Sequence, residues 1–182
     1  MNHAQRILSA LDAKLNAGVE LTLYGRVALL LGFPNPPNEF AGSRDVDAVL
    51  WVGQAEALND TTNFWDAVRQ VNEELAEDDL YISHFFTEDQ VVLRPCWREQ
   101  RERLSGEWSN LSLYRLGNPD LLLSKLMRDD PIDQADARFI VERARFSRAD
   151  ILHAIREARV PSAAEVEEQF RAASARLLAG LR

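Results

Sequence analysis

Apolar residues recur at helical spacing at Ile7, Leu8, Leu11 and Leu15, which predicts a helix over Ala4–Leu15, ended by Ala17-Gly18. A short apolar run then predicts a strand over Leu21–Tyr24. Arg26–Gly32 is apolar almost all round and predicts a buried helix. Phe33–Ser43 holds Pro34, Pro36 and Pro37 and reads as a stiffened loop, either the rim of a site or a solvated connector. Asp45–Val52 is the predicted central strand. Ala55–Leu75 contains a helix striped by Phe64, Val68, Val71 and Leu75, with a break or cap at Asn59–Thr62. Leu80–Phe86 and Gln90–Leu93 read as a hairpin around Thr87-Glu88-Asp89. In that hairpin Tyr81, Ser83 and Phe85 face one way and Ile82, His84 and Phe86 the other.

Pro95 marks a boundary. Arg98–Leu104 is a charged helix or loop, and Ser109–Leu116 a final strand able to return the chain to the sheet. After Gly117 the pattern is helical. Asn118 or Asp120 caps a helix through Met127, and Pro131 suits the first position of a helix over Ile132–Ala144. Ser147 opens another through Ala158. Ser162-Ala163-Ala164-Glu165 reads as a capping box for a last helix to about Leu181. The fold class this predicts is α/β (α+β), a small mixed sheet flanked by helices with a helical C-terminal region. A core is expected over residues 1–95. The final strand and the helical region, residues 96–182, are expected to pack on it.

With 182 residues, 46% hydrophobic and 27% charged, the composition is that of a globular chain with enough apolar material for a core. The formal net charge of −8 disfavours a simple electrostatic grip on nucleic acid. The acidity is concentrated in the first half, and Lys14 and Lys125 are the only lysines. Cys96 is the sole cysteine, so no internal disulfide forms and a reducing cytoplasm is the expected location. The amphipathic N-terminus does not read as a signal peptide, and no apolar stretch reaches membrane-spanning length. The three histidines lack zinc-ligand spacing.

The candidate chemistry lies between Leu21 and Val52. Residues two apart on a strand share a face, which puts Asp45 and Asp47 roughly 6–7 Å apart at Cα on one side. Two carboxylates so placed repel unless a cation lies between them, and they suit a hard divalent ion. Arg44 carries such a charge but alternates to the other side of a regular strand. Gly25 stands between strand and helix, where a tight turn and a helix N-terminus favour a phosphate, with Arg26 adding fixed charge. Lys125 sits in an apolar helix with Asp129, Asp130, Asp133 and Asp136 beyond it. It is either a phosphate-facing point charge or a snorkelling lysine paired with Asp129 at i+4. His84 is either close to the site or an ordinary structural histidine.

Tyr24-Gly25, Ala28-Leu29-Leu30 and Ser43-Arg44-Asp45-Val46-Asp47 resemble the signature of the nucleotidyltransferase superfamily: a Gly-Gly or Gly-Ser pair opening a helix, then Asp-x-Asp on the next strand. Asn118-Pro119-Asp120-Leu121-Leu122-Leu123-Ser124-Lys125-Leu126 followed by Asp133 and Asp136 resembles a second block of the bacterial branch related to the toxin of AbiE-type abortive-infection systems. The resemblance implies Mg²⁺ or Mn²⁺ on Asp45 and Asp47, with Asp45, Asp47 and Lys125 catalytic. Gly25, Arg26, Ser43 and Arg44 would bind the nucleotide. It implies an NTP as donor and an RNA or protein as acceptor, and it admits a homo-oligomer or a toxin–antitoxin partner. The chain departs from the pattern in three ways. Arg26 replaces the second small residue, the Gly25–Asp45 linker is long, and the third carboxylate has no clear match, Glu88 and Asp89 reading as turn residues. These departures keep a second reading open, a nucleotide- or protein-binding module without turnover, or an antitoxin-like partner.

Overall fold

The computed structural model describes residues 2–181, so Met1 and Arg182, the outer ends of the two expected ranges, lie outside it. The described residues form five strands: β1 (Val19–Tyr24), β2 (Asp45–Leu50), β3 (Tyr81–Thr87), β4 (Glu102–Arg103) and β5 (Leu111–Arg115). There are eight α-helices: α1 (His3–Lys14), α2 (Gly25–Gly32), α3 (Gln54–Thr61), α4 (Phe64–Glu74), α5 (Asn118–Leu126), α6 (Pro131–Ala144), α7 (Arg148–Glu157) and α8 (Ala164–Gly180). The strands make one mixed sheet in the order β3-β2-β1-β5-β4. β1 runs antiparallel to β2 and parallel to β5, and β2 runs parallel to β3. The expected fold class, a small mixed sheet with flanking helices and a helical C-terminal region, is what the chain adopts.

The chain divides into two compact units. Residues 1–87 and 102–115 form one; residues 88–101 and 116–182 form the other. The division therefore differs from a cut at residue 95: the whole sheet lies in the first unit, while 88–101 joins the C-terminal helices.

In the first unit the apolar stripe of α1 (Ile7, Leu8, Leu11) is wholly buried, as are Leu21 and Leu23 of β1 and Val49 and Leu50 of β2. Each such side chain contributes about 1.5–3 kcal/mol. The Asp12 carboxylate accepts the backbone N–H groups of Ser109, Asn110 and Leu111 at 2.9, 2.8 and 2.8 Å, which seats the start of β5 beside β1. The break anticipated near Asn59–Thr62 separates α3 from α4. There the Thr62 hydroxyl donates to the Leu58 carbonyl and accepts the Phe64 N–H. Phe64 then packs edge-on to Phe85 of β3, centroids 5.2 Å apart.

Three expectations fail for identifiable reasons. No hairpin follows β3. Val91, Val92 and Leu93 are buried in the second unit, and Leu93 makes only an isolated bridge to Arg159. A short run apolar on all sides does not distinguish a strand from a buried irregular segment. The capping box at Ser162–Glu165 also fails to form. The cap of α8 is Ala163, which has no side-chain oxygen. Likewise Gly117, not Asn118 or Asp120, caps α5, because the Asp120 carboxylate is turned to Arg94. Pro131 takes the first position of α6 as expected, with Asp130 before it accepting the Asp133 N–H, and α7 opens at Ser147, which forms a reciprocal capping box with Asp150.

Candidate functional site

Tyr24 of β1 lies opposite Asp47 of β2, and the next residue, Gly25, opens α2. Gly25 has φ +69°, a left-handed conformation that side-chain-bearing residues avoid, and this turns the chain sharply from strand to helix. A β-carbon placed on Gly25 would lie 3.4 Å from Asp47 Oδ2. The Asp47 carboxylate thus rests against the first turn of α2, where the leading N–H groups have no intrahelical acceptors.

Asp45 and Asp47 are both half-buried, at alternate positions of β2. The Ser43 hydroxyl donates to Asp45 Oδ1 at 2.9 Å. The Ser83 hydroxyl donates to Asp47 Oδ1, and His84 Nδ1 lies 3.4 Å from the same oxygen. Two consecutive β3 residues reach one carboxylate because the β2–β3 register shifts there. Val46 pairs with Ile82 but Ala48 pairs with Phe85, leaving Ser83 and His84 opposite Asp47 alone. Such a bulge adds one residue and re-aims side chains. Strict alternation, which sends Ser83 and His84 to opposite faces, misses this, and nothing in the local composition announces it.

Burial pushes the Asp47 carboxyl above its ordinary value. The Ser83 hydrogen bond opposes the shift, the negative charge of Asp45 adds to it, and His84 opposes it. The negative charge of Asp45 is therefore close enough to disfavour ionisation of Asp47.

The cations expected nearby are arranged differently. Arg44 turns away from the aspartates and pairs with Asp79, both largely exposed. The Arg26 guanidinium lies over the ring of Phe40, 5.3 Å from its centroid. Phe40 is buried in a 3₁₀ turn, Asn38–Gly42, so the Pro-rich loop folds back on α2 instead of extending into solvent.

Lys125 belongs to the second unit. It is 4% exposed, and its ammonium donates at 2.8 Å to Asp133 and lies 2.8 Å from Asp136. Arg128 also binds Asp133, with Nε donating at 2.9 Å. Burial alone would raise the Asp133 carboxyl; the hydrogen bonds from Arg128 and Lys125 outweigh it and hold the group below its ordinary value. The local i+4 pair with Asp129 does not form, since Asp129 binds Arg176 of α8. Lys125, Asp133 and Asp136 thus form one buried ion network joining α5 to α6. In the same unit Asp120 is fully buried and accepts the backbone N–H, Nε and Nη2 of Arg94. Glu88, weighed as a third carboxylate, accepts the Trp97 indole N–H at 2.9 Å and pairs with Arg159.

The donor set beside Gly25 suits a hard divalent ion: two carboxylates on one strand face, each steadied by a serine hydroxyl. Among the described residues, no group of three or more His, Cys, Asp or Glu side chains is arranged to hold a metal. Among the same residues, no helix is long and apolar enough to cross a membrane. Comparison of the chain with protein-family models, curated proteins and solved structures finds no match.

Proposed function

We propose that this chain is a metal-dependent nucleotidyltransferase-like protein that takes a nucleotide from an NTP to an RNA or protein acceptor. The observation that carries the reading is the approach of the Asp47 carboxylate to the Gly25 turn: a paired-carboxylate strand face meets the N-terminus of a helix at a residue with no side chain. Asp45 and Asp47 would hold Mg²⁺ or Mn²⁺, which usually binds one or two carboxylates and completes its shell with water and substrate phosphates. When bound, the ion supplies charge neutralisation of the triphosphate and activation of the acceptor hydroxyl.

The remaining work falls to the chain itself. The left-handed Gly25 turn sets the first N–H groups of α2 beside Asp47, where phosphate oxygens would accept from them. Ser43 and Ser83 fix the orientation of Asp45 and Asp47, as hydrogen-bonded outer partners do for metal-binding carboxylates. Arg26 adds positive charge at the mouth of the turn, held by the Phe40 ring. Lys125 is already matched by two carboxylates and serves to hold α5 to α6. The acidic net charge argues for an acceptor gripped by shape and hydrogen bonds, not by electrostatics alone.

Binding without turnover is the second reading. It is favoured by the neighbours of Asp47 on β3, which are Ser83 and His84 in place of another carboxylate. Incubation with each labelled NTP, Mn²⁺ or Mg²⁺, and total RNA or lysate separates the two. The first reading expects label on a macromolecule, lost in Asp45→Ala/Asp47→Ala; the second expects retention of nucleotide with no transfer.

A further inference from the structure

The bulge that brings Ser83 to Asp47 also displaces His84. Its side chain is 63% exposed although it lies in the middle of a strand. The ring is nevertheless ordered by two contacts. One side stacks on Phe86, centroids 5.3 Å apart and planes 21° from parallel. Nδ1 faces Asp47 Oδ1 at 3.4 Å. Phe86 is itself braced edge-on by Tyr24, centroids 5.9 Å apart at 85°. Tyr24 is the residue before the Gly25 turn. The row Tyr24, Phe86, His84 therefore runs beside the Asp47–Gly25 contact, and it ends in an aromatic ring whose outer side is open.

An exposed ring already fixed in orientation has little freedom to lose when a planar ligand lands on it. Aromatic side chains stack any base through its π-face. We propose that His84, supported by Phe86 and Tyr24, is the platform on which the base of the bound nucleotide stacks, purines more tightly than pyrimidines because their π-face is larger. This rests on the proposed nucleotide site at Asp45 and Asp47 and adds to it the part that reads the base. The role asks for the imidazole's flat surface, not for a nitrogen ligand.

The test is calorimetric titration of the full chain with Mn²⁺ and two probes: α,β-methylene-ATP, which cannot donate its nucleotide, and inorganic tripolyphosphate, which has no base. Wild type is expected to bind the ATP analogue about tenfold or more above tripolyphosphate. Two variants remove the Nδ1 that faces Asp47, so each is read as the ratio of its own two affinities: His84→Ala should erase the preference for the ATP analogue, and His84→Phe, which restores a ring without nitrogens, should recover it. The platform is overturned if wild type binds both probes equally, a result that leaves the phosphate site standing. It is also overturned if His84→Ala keeps the wild-type ratio, or if His84→Phe fails to recover it, since either result takes the ring's flat surface out of base binding. If wild type binds neither probe, the nucleotide site itself fails and the platform with it. His84 is exposed, so these variants are expected to fold, and matching melting curves in probe-free buffer check it.

Discussion

Asp47 shows how one residue is set against its own fold. Its carboxyl is raised by burial and by Asp45, so ionising it weakens the native state instead of supporting it. Asp47→Asn removes that charge and keeps an acceptor for Ser83. In metal-free buffer at pH 7 this variant is expected to melt a few degrees above wild type, a gain on the order of 1 kcal/mol corresponding to about 2–4 °C in a chain of this size. It should also lose any stabilisation by Mn²⁺ with NTP. Thermal scans with and without ligand show both effects, and a lower melting temperature without ligand would contradict the first. Asp133 has the opposite sign. Its carboxyl lies below the ordinary 3.8, so the stability it contributes is complete above that value and is lost as pH falls through the folded-state value. Wild type is expected to weaken steeply below about pH 4, and Asp133→Asn to be less stable at pH 7 with a shallower acid fall. Lys125→Met removes the ammonium shared by the buried Asp133 and Asp136 carboxylates and should cost about 3–5 kcal/mol, the usual consequence of breaking a buried pair from one side. Denaturant unfolding at pH 7 measures it, and a loss under 1 kcal/mol would mean the network does not hold α5 to α6.

At the scale of elements, the turn from β1 into α2 and the irregularity between β2 and β3 converge on the same carboxylate. Gly25 is needed there for its backbone and not for space, because its added β-carbon would make only ordinary contact with Asp47. Gly25→Ala is therefore expected to cost about 1–2 kcal/mol from the left-handed backbone alone and to weaken nucleotide binding. Gly18→Ala, at a position with open space, should be close to neutral and serves as the control in the same denaturant titration. At the far end of α2, Gly32 leaves room for the buried Arg115 side chain, which lies over the Phe33 ring and bonds Glu102. The helix thus begins and ends on glycines for different reasons, backbone conformation at one end and close approach at the other.

For the molecule as a whole, the proposed ligand makes a prediction that needs no acceptor. A compound that binds only the native state raises stability by about 2.7 kcal/mol at a hundred times its Kd. Mn²⁺ with a saturating NTP is expected to raise the melting temperature of wild type, and Asp45→Ala/Asp47→Ala to abolish the rise. A full shift in the double variant would place the nucleotide elsewhere. Buffers of low and moderate salt should give the same answer, because a site of paired carboxylates and helix N–H groups depends on close coordination, whereas a diffuse acidic surface is screened within about 10 Å at 0.1 M salt.

Periodicity by itself determined the mixed α/β class, the helix stripes, the return of Leu111–Arg115 to the sheet and the shared face of Asp45 and Asp47. These are repeats of local geometry, and local geometry is what residue spacing encodes. Pro131 at the first position of α6 and the start of α7 at Ser147 were legible from residue type. The tertiary structure alone decided the partners. Ser83 and His84 meet Asp47 through a register shift that depends on how two strands align, and alternation along one of them carries no trace of it. Lys125 finds Asp133 and Asp136 across a helix–helix contact in preference to Asp129 one turn away, because a buried ammonium is stabilised most where two carboxylates are buried with it. Val91–Leu93 looks like a strand and is a buried irregular segment, since burial on all sides erases the period that would tell them apart.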